Sequence, residues 1–208
     1  MASKSQLAII LSKLEKFSNP KIESEQYSTD SESAAEILWA AFMRGDIKGK
    51  TIADFGCGTG ILGIGCLLLG ARKAYFVDND TEAIEITKRN LEQTGMTQEG
   101  KAETMEIDVI DFKKKTDLVF QNPPFGTRKE HADREFLMKA FSTSDIIYSF
   151  HKASTEDFVK TISQDNSFAI TNILKFQLIL TKTQKFHKRN VHRIHVNCYR
   201  LEKIYKGA

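Results

Sequence analysis

A short apolar strand predicted at residues 50–55 runs directly into three alternating glycines, Gly56, Gly58 and Gly60. A helix is predicted to follow at residues 61–69 and to stop at the next glycine. A strand, a glycine turn and a helix in this order open a βαβ unit of the nucleotide-binding type. Glycines at such a turn let the backbone approach a ligand closely, where a Cβ atom would block it. The sequence therefore predicts an α/β fold with a parallel sheet and a ligand at this turn.

The side chains around the turn indicate which kind of ligand it holds. A dinucleotide-binding fingerprint that starts at Gly56 would need another glycine where Ile61 stands. Asp54, at the end of the strand, would repel a pyrophosphate. Its carboxylate suits a ligand with an ammonium group, such as the amino-acid end of S-adenosylmethionine. A tight turn that binds nothing is the alternative while the turn is considered alone.

Two further strand ends carry carboxylates that suit a nucleoside. A second strand at residues 74–77 ends at Asp78, about 20 residues after the glycine turn, where an acidic side chain can accept both ribose hydroxyls. A third strand at residues 103–107, expected at a sheet edge, is followed by Asp108 and Val109. This pair could bind the amine and the face of an adenine ring. An Asx turn is an equally good interpretation of Asp108.

An apolar strand at residues 117–120 must end at Asn122, because the prolines that follow have no N–H to donate to a sheet ladder. The loop of Asn122, Pro123, Pro124 and Phe125 is therefore stiff, and it lies where parallel sheets bind ligands. Asn122 Oδ1 and the Pro123 carbonyl can accept the two hydrogens of a conjugated amino group and stabilise its developing positive charge. Phe125 offers a face for a flipped-out base. A rigid turn without chemistry is the alternative.

The clearest basic cluster in the chain lies between two long predicted strands, at residues 168–180 and 191–204. Basic side chains around one phenylalanine are typical of a nucleic-acid contact, although a solvated hairpin tip has the same composition. A second basic segment, residues 128–134, follows the Asn122 loop. The residues predicted to contact RNA phosphates are Arg128, Lys185, His187, Lys188 and Arg189.

Composition restricts the class of protein more than its function. The 208 residues suit one α/β domain, and 41% hydrophobic with 27% charged residues is typical of globular proteins. No apolar run approaches the roughly 20 residues that span a membrane, and no apolar signal core opens the chain, so a cytoplasmic location is expected. Three cysteines without metal-ligand spacing and scattered histidines predict no metal site. A net charge of +3 does not by itself indicate nucleic-acid binding.

Two helices are predicted before the glycine turn. The first covers residues 4–16 and is amphipathic, and the second is capped by Asp30 or Ser31. The polar stretch between them contains Gln26 and Thr29, which by themselves are ordinary loop residues.

Taken together, these motifs resemble a class I S-adenosylmethionine-dependent methyltransferase that acts on an amino nitrogen. Four segments are more specific, and over nearly the whole chain they resemble the methyltransferase-like protein five family and its archaeal relatives. The segments are Glu25-Gln-Tyr-Ser-Thr29, Asn122-Pro-Pro-Phe-Gly-Thr127, Tyr148-Ser-Phe-His-Lys152 and Phe186-His-Lys188. The family methylates N6 of an adenosine in small-subunit ribosomal RNA. Its eukaryotic members work with a small zinc-binding activator protein docked along a sheet edge.

The resemblance implies roles for individual residues. Asn122 to Phe125 would be catalytic. The residues implied to line the cofactor site are Gln26, Thr29, Gly56, Thr59, Ile61, Asp78, Asp108 and Val109. Two departures exist: eukaryotic members have cysteine where Thr59 stands, and residues 129–134 differ from theirs, so the details of substrate gating do not carry over.

The expected architecture is a Rossmann-like class I methyltransferase: a seven-stranded, mostly parallel sheet with helices on both faces. One domain would cover residues 1–208, with residues 1–46 as a helical cap over the cofactor. Three other functions fit some of the same motifs. They are a protein glutamine N5-methyltransferase, a guanine-N2 RNA methyltransferase and a non-catalytic RNA-binding module that keeps the fold.

Overall fold

The computed structural model describes residues 3–18, 29–124, 132–181 and 191–205. The helices in these ranges are α1 (Lys4–Ser12), α2 (Ser31–Met43), α3 (Ile61–Leu68), α4 (Thr81–Gln93), α5 (Ala132–Thr143) and α6 (Glu156–Asp165). The strands are β1 (Thr51–Phe55), β2 (Lys73–Asp78), β3 (Ala102–Glu106), β4 (Leu118–Gln121), β5 (Ile146–Lys152), β6 (Phe168–Thr181) and β7 (Val191–Lys203). Two short 3-10 turns cover Val109–Asp111 and Ala153–Thr155.

The strands form one sheet in the order β3-β2-β1-β4-β5-β7-β6. The first five strands of this order pair in parallel, and β7 pairs antiparallel with both β5 and β6. The predicted seven-stranded, mostly parallel sheet is therefore confirmed, and so is the edge position of β3. The order reverses at β1 and β4, which is where open α/β sheets bind ligands.

Hydrophobic cores lie on both faces of the sheet because its central strands alternate apolar side chains between the two sides. One core gathers residues of α1, α2, α3 and α4, and the other gathers residues of α5 and α6. The side chains of β5 alternate between the two faces of the sheet in the same way. Tyr148 and Phe150 belong to the first core, whereas Ile147 belongs to the second, on the side where Ser149 and His151 also lie.

Helix α3 packs unusually closely on its neighbours. A Cβ atom at Gly63 would lie 2.3 Å from the ring of Phe76, and one at Gly65 would lie 2.3 Å from Leu38. These two glycines therefore let α3 approach β2 on one side and α2 on the other. The close approach fixes the amino end of α3 directly behind the glycine turn.

The end of the first helix differs from the predicted one, and the structure decides between the two predicted caps of the second helix. The first helix ends at Ser12 rather than at residue 16, where the Lys13 N–H donates to the Ile10 carbonyl and the Leu14 N–H donates to the Leu11 carbonyl. The apolar spacing continues to Leu14, which is buried, but the chain there leaves the helix to dock on α4. Asp30 rather than Ser31 caps α2, since its side chain accepts from the N–H of Ser33.

No helix within the described residues is long and apolar enough to cross a membrane.

Candidate active site

A cavity opens at the carboxyl ends of β1 and β4, between the glycine turn and Asn122. It contains about 360 Å³ of empty space, part of which is open solvent. The residues that line it are Phe17, Thr29, Asp54, Gly56, Cys57, Gly58, Thr59, Ile61, Leu62 and Asn122. Most of these were predicted as site residues from the sequence; Phe17, Cys57 and Leu62 were not.

The glycine turn folds back onto β2. The N–H groups of Gly56 and Cys57 both donate to the Val77 carbonyl, at 2.8 and 3.1 Å. Gly56 and Gly58 have φ angles of +64° and +55°, in the left-handed region that residues with a Cβ atom rarely adopt. The backbone path of the turn therefore favours glycine at both positions, and both glycines line the cavity.

Helix α4 holds this turn from behind with two polar side chains. Thr87 Oγ1 donates to the Gly58 carbonyl and Asn90 Nδ2 donates to the Thr59 carbonyl, each at 2.9 Å. Both side chains are completely buried. Sequence reasoning missed them, although a signal exists: they are polar residues three apart on the face that otherwise buries Ala83 and Leu91.

Asn90 also holds the segment that follows α1. Its Oδ1 accepts from the Glu15 N–H at 2.7 Å, and its Nδ2 donates to the Glu15 carbonyl at 3.1 Å. On the surface, Arg89 forms a two-pronged ion pair with the Glu15 carboxylate. One buried amide thus joins the glycine turn to the N-terminal segment, and Phe17 reaches the cavity as a result.

Asp54 places a carboxyl group in the wall of the cavity. Its Oδ2 accepts from the N–H of Gly63, in the first turn of α3, at 2.8 Å. Burial, reinforced by the nearby carboxylate of Asp78 and opposed by the Gly63 hydrogen bond, raises the pKa of Asp54 to about 8. A buried carboxyl beside a second one favours a positively charged ligand, which would stabilise the ionised form.

Asp78 is tied into the turn. Its Oδ2 accepts from the Gly58 N–H at 2.9 Å and its Oδ1 accepts from the Asp80 N–H at 3.0 Å. Burial raises its pKa in spite of these hydrogen bonds. Each oxygen has a further lone pair, so a ribose contact is compatible with this geometry, and the predicted role stays a prediction.

Asp108 and Val109 lie outside the lining of this cavity. Asp108 Oδ1 accepts from the Ile110 N–H at 3.1 Å and caps the 3-10 turn, so the Asx-turn interpretation of this position is present in the structure. Val109 is buried in the core beside α5. Their contact with an adenine ring stays a prediction.

Asn122 carries a buried acceptor at the opposite wall. Its Nδ2 donates to the hydroxyl of Thr29 at 3.1 Å, which orients the amide. Its Oδ1 is buried and has no hydrogen-bond partner among the described residues. A buried polar atom without a partner is costly, so such an atom at a cavity wall indicates a position for a ligand donor.

Several predicted site residues lie outside the described residues, and their roles stay predictions. They are Gln26, Phe125, Arg128, Lys185, His187, Lys188 and Arg189.

The residues present fit S-adenosylmethionine. Asp54 offers a carboxyl for an ammonium group, and Gly56 and Gly58 line the cavity without side chains. The fold and this site together define the class of protein: it is a class I methyltransferase that uses S-adenosylmethionine as its cofactor.

The comparisons with known proteins identify the family. The family model for the methyltransferase small domain matches residues 24–144. The chain is 38% identical to the uncharacterized protein MJ0284 of Methanocaldococcus jannaschii, over 98% of this chain and 96% of that one. It is 33% identical to the rRNA N(6)-adenosine-methyltransferase METTL5 of Danio rerio, over 94% and 97%. The crystal structure of PH1948 from Pyrococcus horikoshii superposes with a TM-score of 0.89 at 42% identity, over 99% and 100%. The chain belongs to the METTL5 family.

Proposed function

We propose that this enzyme methylates N6 of an adenosine in RNA, with small-subunit ribosomal RNA as its substrate. The name of the Danio rerio relative supports adenosine N6 and ribosomal RNA. The observation that carries the proposal is the buried Oδ1 of Asn122, which has no hydrogen-bond partner among the described residues and lies beside the cavity of the glycine turn. An acceptor at this position suits an amino group whose nitrogen lone pair attacks a methyl group, because it can accept one of the hydrogens of that amino group.

The chemical difficulty lies in the nitrogen. The lone pair of an exocyclic amine is delocalised into the purine ring, so the amine is a poor nucleophile. Acceptors at its two hydrogens, Asn122 Oδ1 and the Pro123 carbonyl, localise the lone pair and stabilise the positive charge as the nitrogen attacks. Bound S-adenosylmethionine supplies a methyl group that is electrophilic because it is attached to a sulfonium. The methylated nitrogen then loses one proton to water, so the chain needs no strong general base.

Positioning supplies most of the acceleration in such a transfer. Thr29 holds the Asn122 amide from one side, and Pro123 and Pro124 restrict the backbone dihedral angles on the other. Phe125 would stack on the flipped adenine. Arg128, Lys185, His187, Lys188 and Arg189 would contact RNA phosphates.

A small zinc-binding activator is part of the proposal. The two ends of the strand order, β3 and β6, are the edges at which a partner strand could add to the sheet. Hydrogen exchange of the chain with and without a candidate activator would find the interface: protection confined to one of these strands supports the proposal, and protection of neither contradicts it.

We also propose that residues 1–46 cap the cofactor within a single domain, and that the protein works in the cytoplasm. The hydrogen bonds of Asn90 to both Glu15 and Thr59 support the first point. Three buried free thiols, Cys57, Cys66 and Cys198, fit a reducing compartment.

Mass analysis of nucleosides tests the function. The protein is incubated with isotope-labelled S-adenosylmethionine and unmodified small-subunit or large-subunit ribosomal RNA, with and without an activator. Label in N6-methyladenosine from the small-subunit RNA is the expected result. Label in N2-methylguanosine would instead indicate a guanine-N2 RNA methyltransferase. Label in glutamine of an added protein would indicate a protein glutamine N5-methyltransferase. RNA binding without any label would indicate a non-catalytic RNA-binding module that keeps the fold.

A further inference from the structure

A row of buried polar side chains runs from the end of β4 across β5 to the first turn of α5. Gln121 Nε2 lies 2.9 Å from Ser149 Oγ, and Ser149 Oγ lies 2.7 Å from His151 Nε2. On the other side of the ring, His151 Nδ1 is 3.9 Å from Asp133 Oδ2. Gln121, Ser149 and His151 are each at most 1% exposed. The mechanism above uses none of them.

The row lies where the sheet ladder stops. The pairing of β4 with β5 ends at Gln121 and Ser149, because Pro123 and Pro124 have no N–H to donate. Strand β5 nevertheless continues to Lys152. The side-chain hydrogen bonds of the row therefore tie the end of β4 to β5 at the point where backbone hydrogen bonds run out. Asn122 is the next residue along the chain.

The direction of the hydrogen bonds can be assigned on two grounds. If the Gln121 amide donates to Ser149, one carbonyl oxygen, Oε1, is left without a partner among the described residues. The reverse orientation would leave an NH₂ group there instead, and buried orphan donors are rarer than orphan acceptors. Ser149 then gives its only proton to His151 Nε2. The imidazole proton must lie on Nδ1, which faces the carboxylate of Asp133, the favourable arrangement.

The environment of the ring keeps it neutral. Burial lowers the pKa of His151 to about 3. The groups facing it are the hydroxyl of Ser149 on its own strand, the carboxylate of Asp133 on α5 and the Tyr199 ring on β7, whose centroid is 6.1 Å away. The Asp133 carboxylate, at 3.9 Å from Nδ1, is beyond hydrogen-bond distance. A neutral ring with a fixed tautomer can act as an acceptor for Ser149 at any physiological pH.

We propose that His151 is a positioning residue for the acceptor loop: through Ser149 it orients Gln121 and so sets the position of Asn122. The inference deepens the proposed function and rests on it for its kinetic consequence. Ser149 makes the hydrogen bond that holds the Gln121 amide within the described structure, since Oε1 makes none there. A displacement of the end of β4 would move the Asn122 acceptor without altering the glycine turn.

Kinetics with separate cofactor binding tests the role. Ser149→Ala and His151→Gln are each expected to lower kcat about tenfold or more while the Kd for S-adenosylmethionine stays within about twofold. Because the two residues act in series, the double variant should be no slower than the worse single one. Ser149→Thr, which keeps a hydroxyl, should retain most of the rate. Tyr199→Phe, which keeps the ring beside His151, is the matched control and should be near wild type.

Unchanged kcat in Ser149→Ala, or additive losses in the double variant, would overturn the proposal. So would a parallel loss of cofactor affinity and thermal stability, because that pattern indicates a purely structural role. The second measurement needs no RNA. Nitrogen-15 NMR of the imidazoles in the wild-type protein should show His151 protonated at Nδ1 and not titrating between pH 5 and 8. A proton on Nε2, or a pKa near the ordinary 6.5, would refute the assignment even if the RNA substrate proved to be different.

Discussion

The two walls of the cavity differ in how far their polar groups are already hydrogen-bonded within the described structure. On the cofactor side, the polar groups of the glycine turn are engaged internally: the Gly58 and Thr59 carbonyls accept from α4, and the Gly58 N–H donates to Asp78. On the acceptor side, Asn122 is held by one hydrogen bond from its amide nitrogen to Thr29. Its oxygen is left without a partner in the described structure.

This difference separates what each wall contributes. A turn whose shape is fixed by its own hydrogen bonds is preorganised for a cofactor, so defects there should appear as lost affinity. An acceptor without a partner gains one only with a substrate, so defects there should appear as lost rate. Variants on each wall should therefore separate a loss of cofactor affinity from a loss of rate.

The largest effect is expected for Asn122→Ala. It removes the buried acceptor and should lower kcat by about 10² to 10³, the range known for the loss of one preorganised group that stabilises transition-state charge. The Kd for S-adenosylmethionine, measured by calorimetry, should stay within about twofold. Turnover near the wild-type value would show that the acceptor is not used.

Thr87→Val should show the opposite pattern. The substitution keeps the shape of the side chain but leaves the Gly58 carbonyl without its donor. We expect about a tenfold weaker Kd for S-adenosylmethionine, equivalent to about 1.4 kcal/mol, and an unchanged kcat at saturating cofactor. Thr94→Val on the same helix is the matched control, because Thr94 Oγ1 donates to carbonyls of its own helix, those of Asn90 and Leu91. Equal losses in both variants would refute a specific role for Thr87.

Proton release tests the contact of Asp54 with the cofactor. At pH 6.5 the carboxyl is protonated in the free protein, because its pKa is raised to about 8. An ammonium partner favours the ionised form, so binding should release about one proton, and less as the pH rises above 8. Calorimetry in buffers of different ionisation enthalpy measures this number. Asp54→Asn should release none, and the same release from both proteins would place the ammonium elsewhere.

The last effects concern stability, and its pH dependence has opposite signs on the two walls. The pKa of Asp54 is raised from 3.8 to about 8, so its contribution to the free energy of unfolding is complete below pH 3.8 and is lost as the pH rises through 8. The pKa of His151 is lowered from 6.5 to about 3, so its contribution is complete above pH 6.5 and is lost as the pH falls towards 3.

Urea unfolding between pH 4 and 9 measures both contributions. Between pH 6.5 and 8 the Asp54 contribution changes and the His151 contribution does not, so Asp54→Asn should flatten the stability profile there. Between pH 4 and 6.5 the two contributions have opposite slopes, so His151→Gln should make stability fall as the pH rises. Each change should have a slope of at most about 1.4 kcal/mol per pH unit. The assignment is wrong if Asp54→Asn leaves the slope between pH 6.5 and 8 unchanged, or if His151→Gln removes it.

Local sequence patterns were sufficient to predict many of the helices and strands of the fold. The alternation of Gly56, Gly58 and Gly60 after an apolar strand predicted the turn and α3, and the bounds of β6 and β7 followed from their β-branched and aromatic runs. The end of α1 was predicted wrongly, because the apolar spacing that continues to Leu14 serves contacts outside the helix. Periodicity records that a side chain is buried but does not record which element buries it.

Local sequence patterns were sufficient to predict the chemical groups of the candidate site. The paired prolines force β4 to end beside Asn122, and the glycines permit the left-handed backbone of the turn, because both effects act within a few residues. How those groups are held depends on the packing of distant elements against one another. Asn90 meets Glu15 and Thr59, and His151 meets Ser149 and Asp133, across element packing that local sequence patterns do not encode. Burial then sets the protonation of Asp54 and His151, since the cost of a buried charge depends on everything that surrounds it.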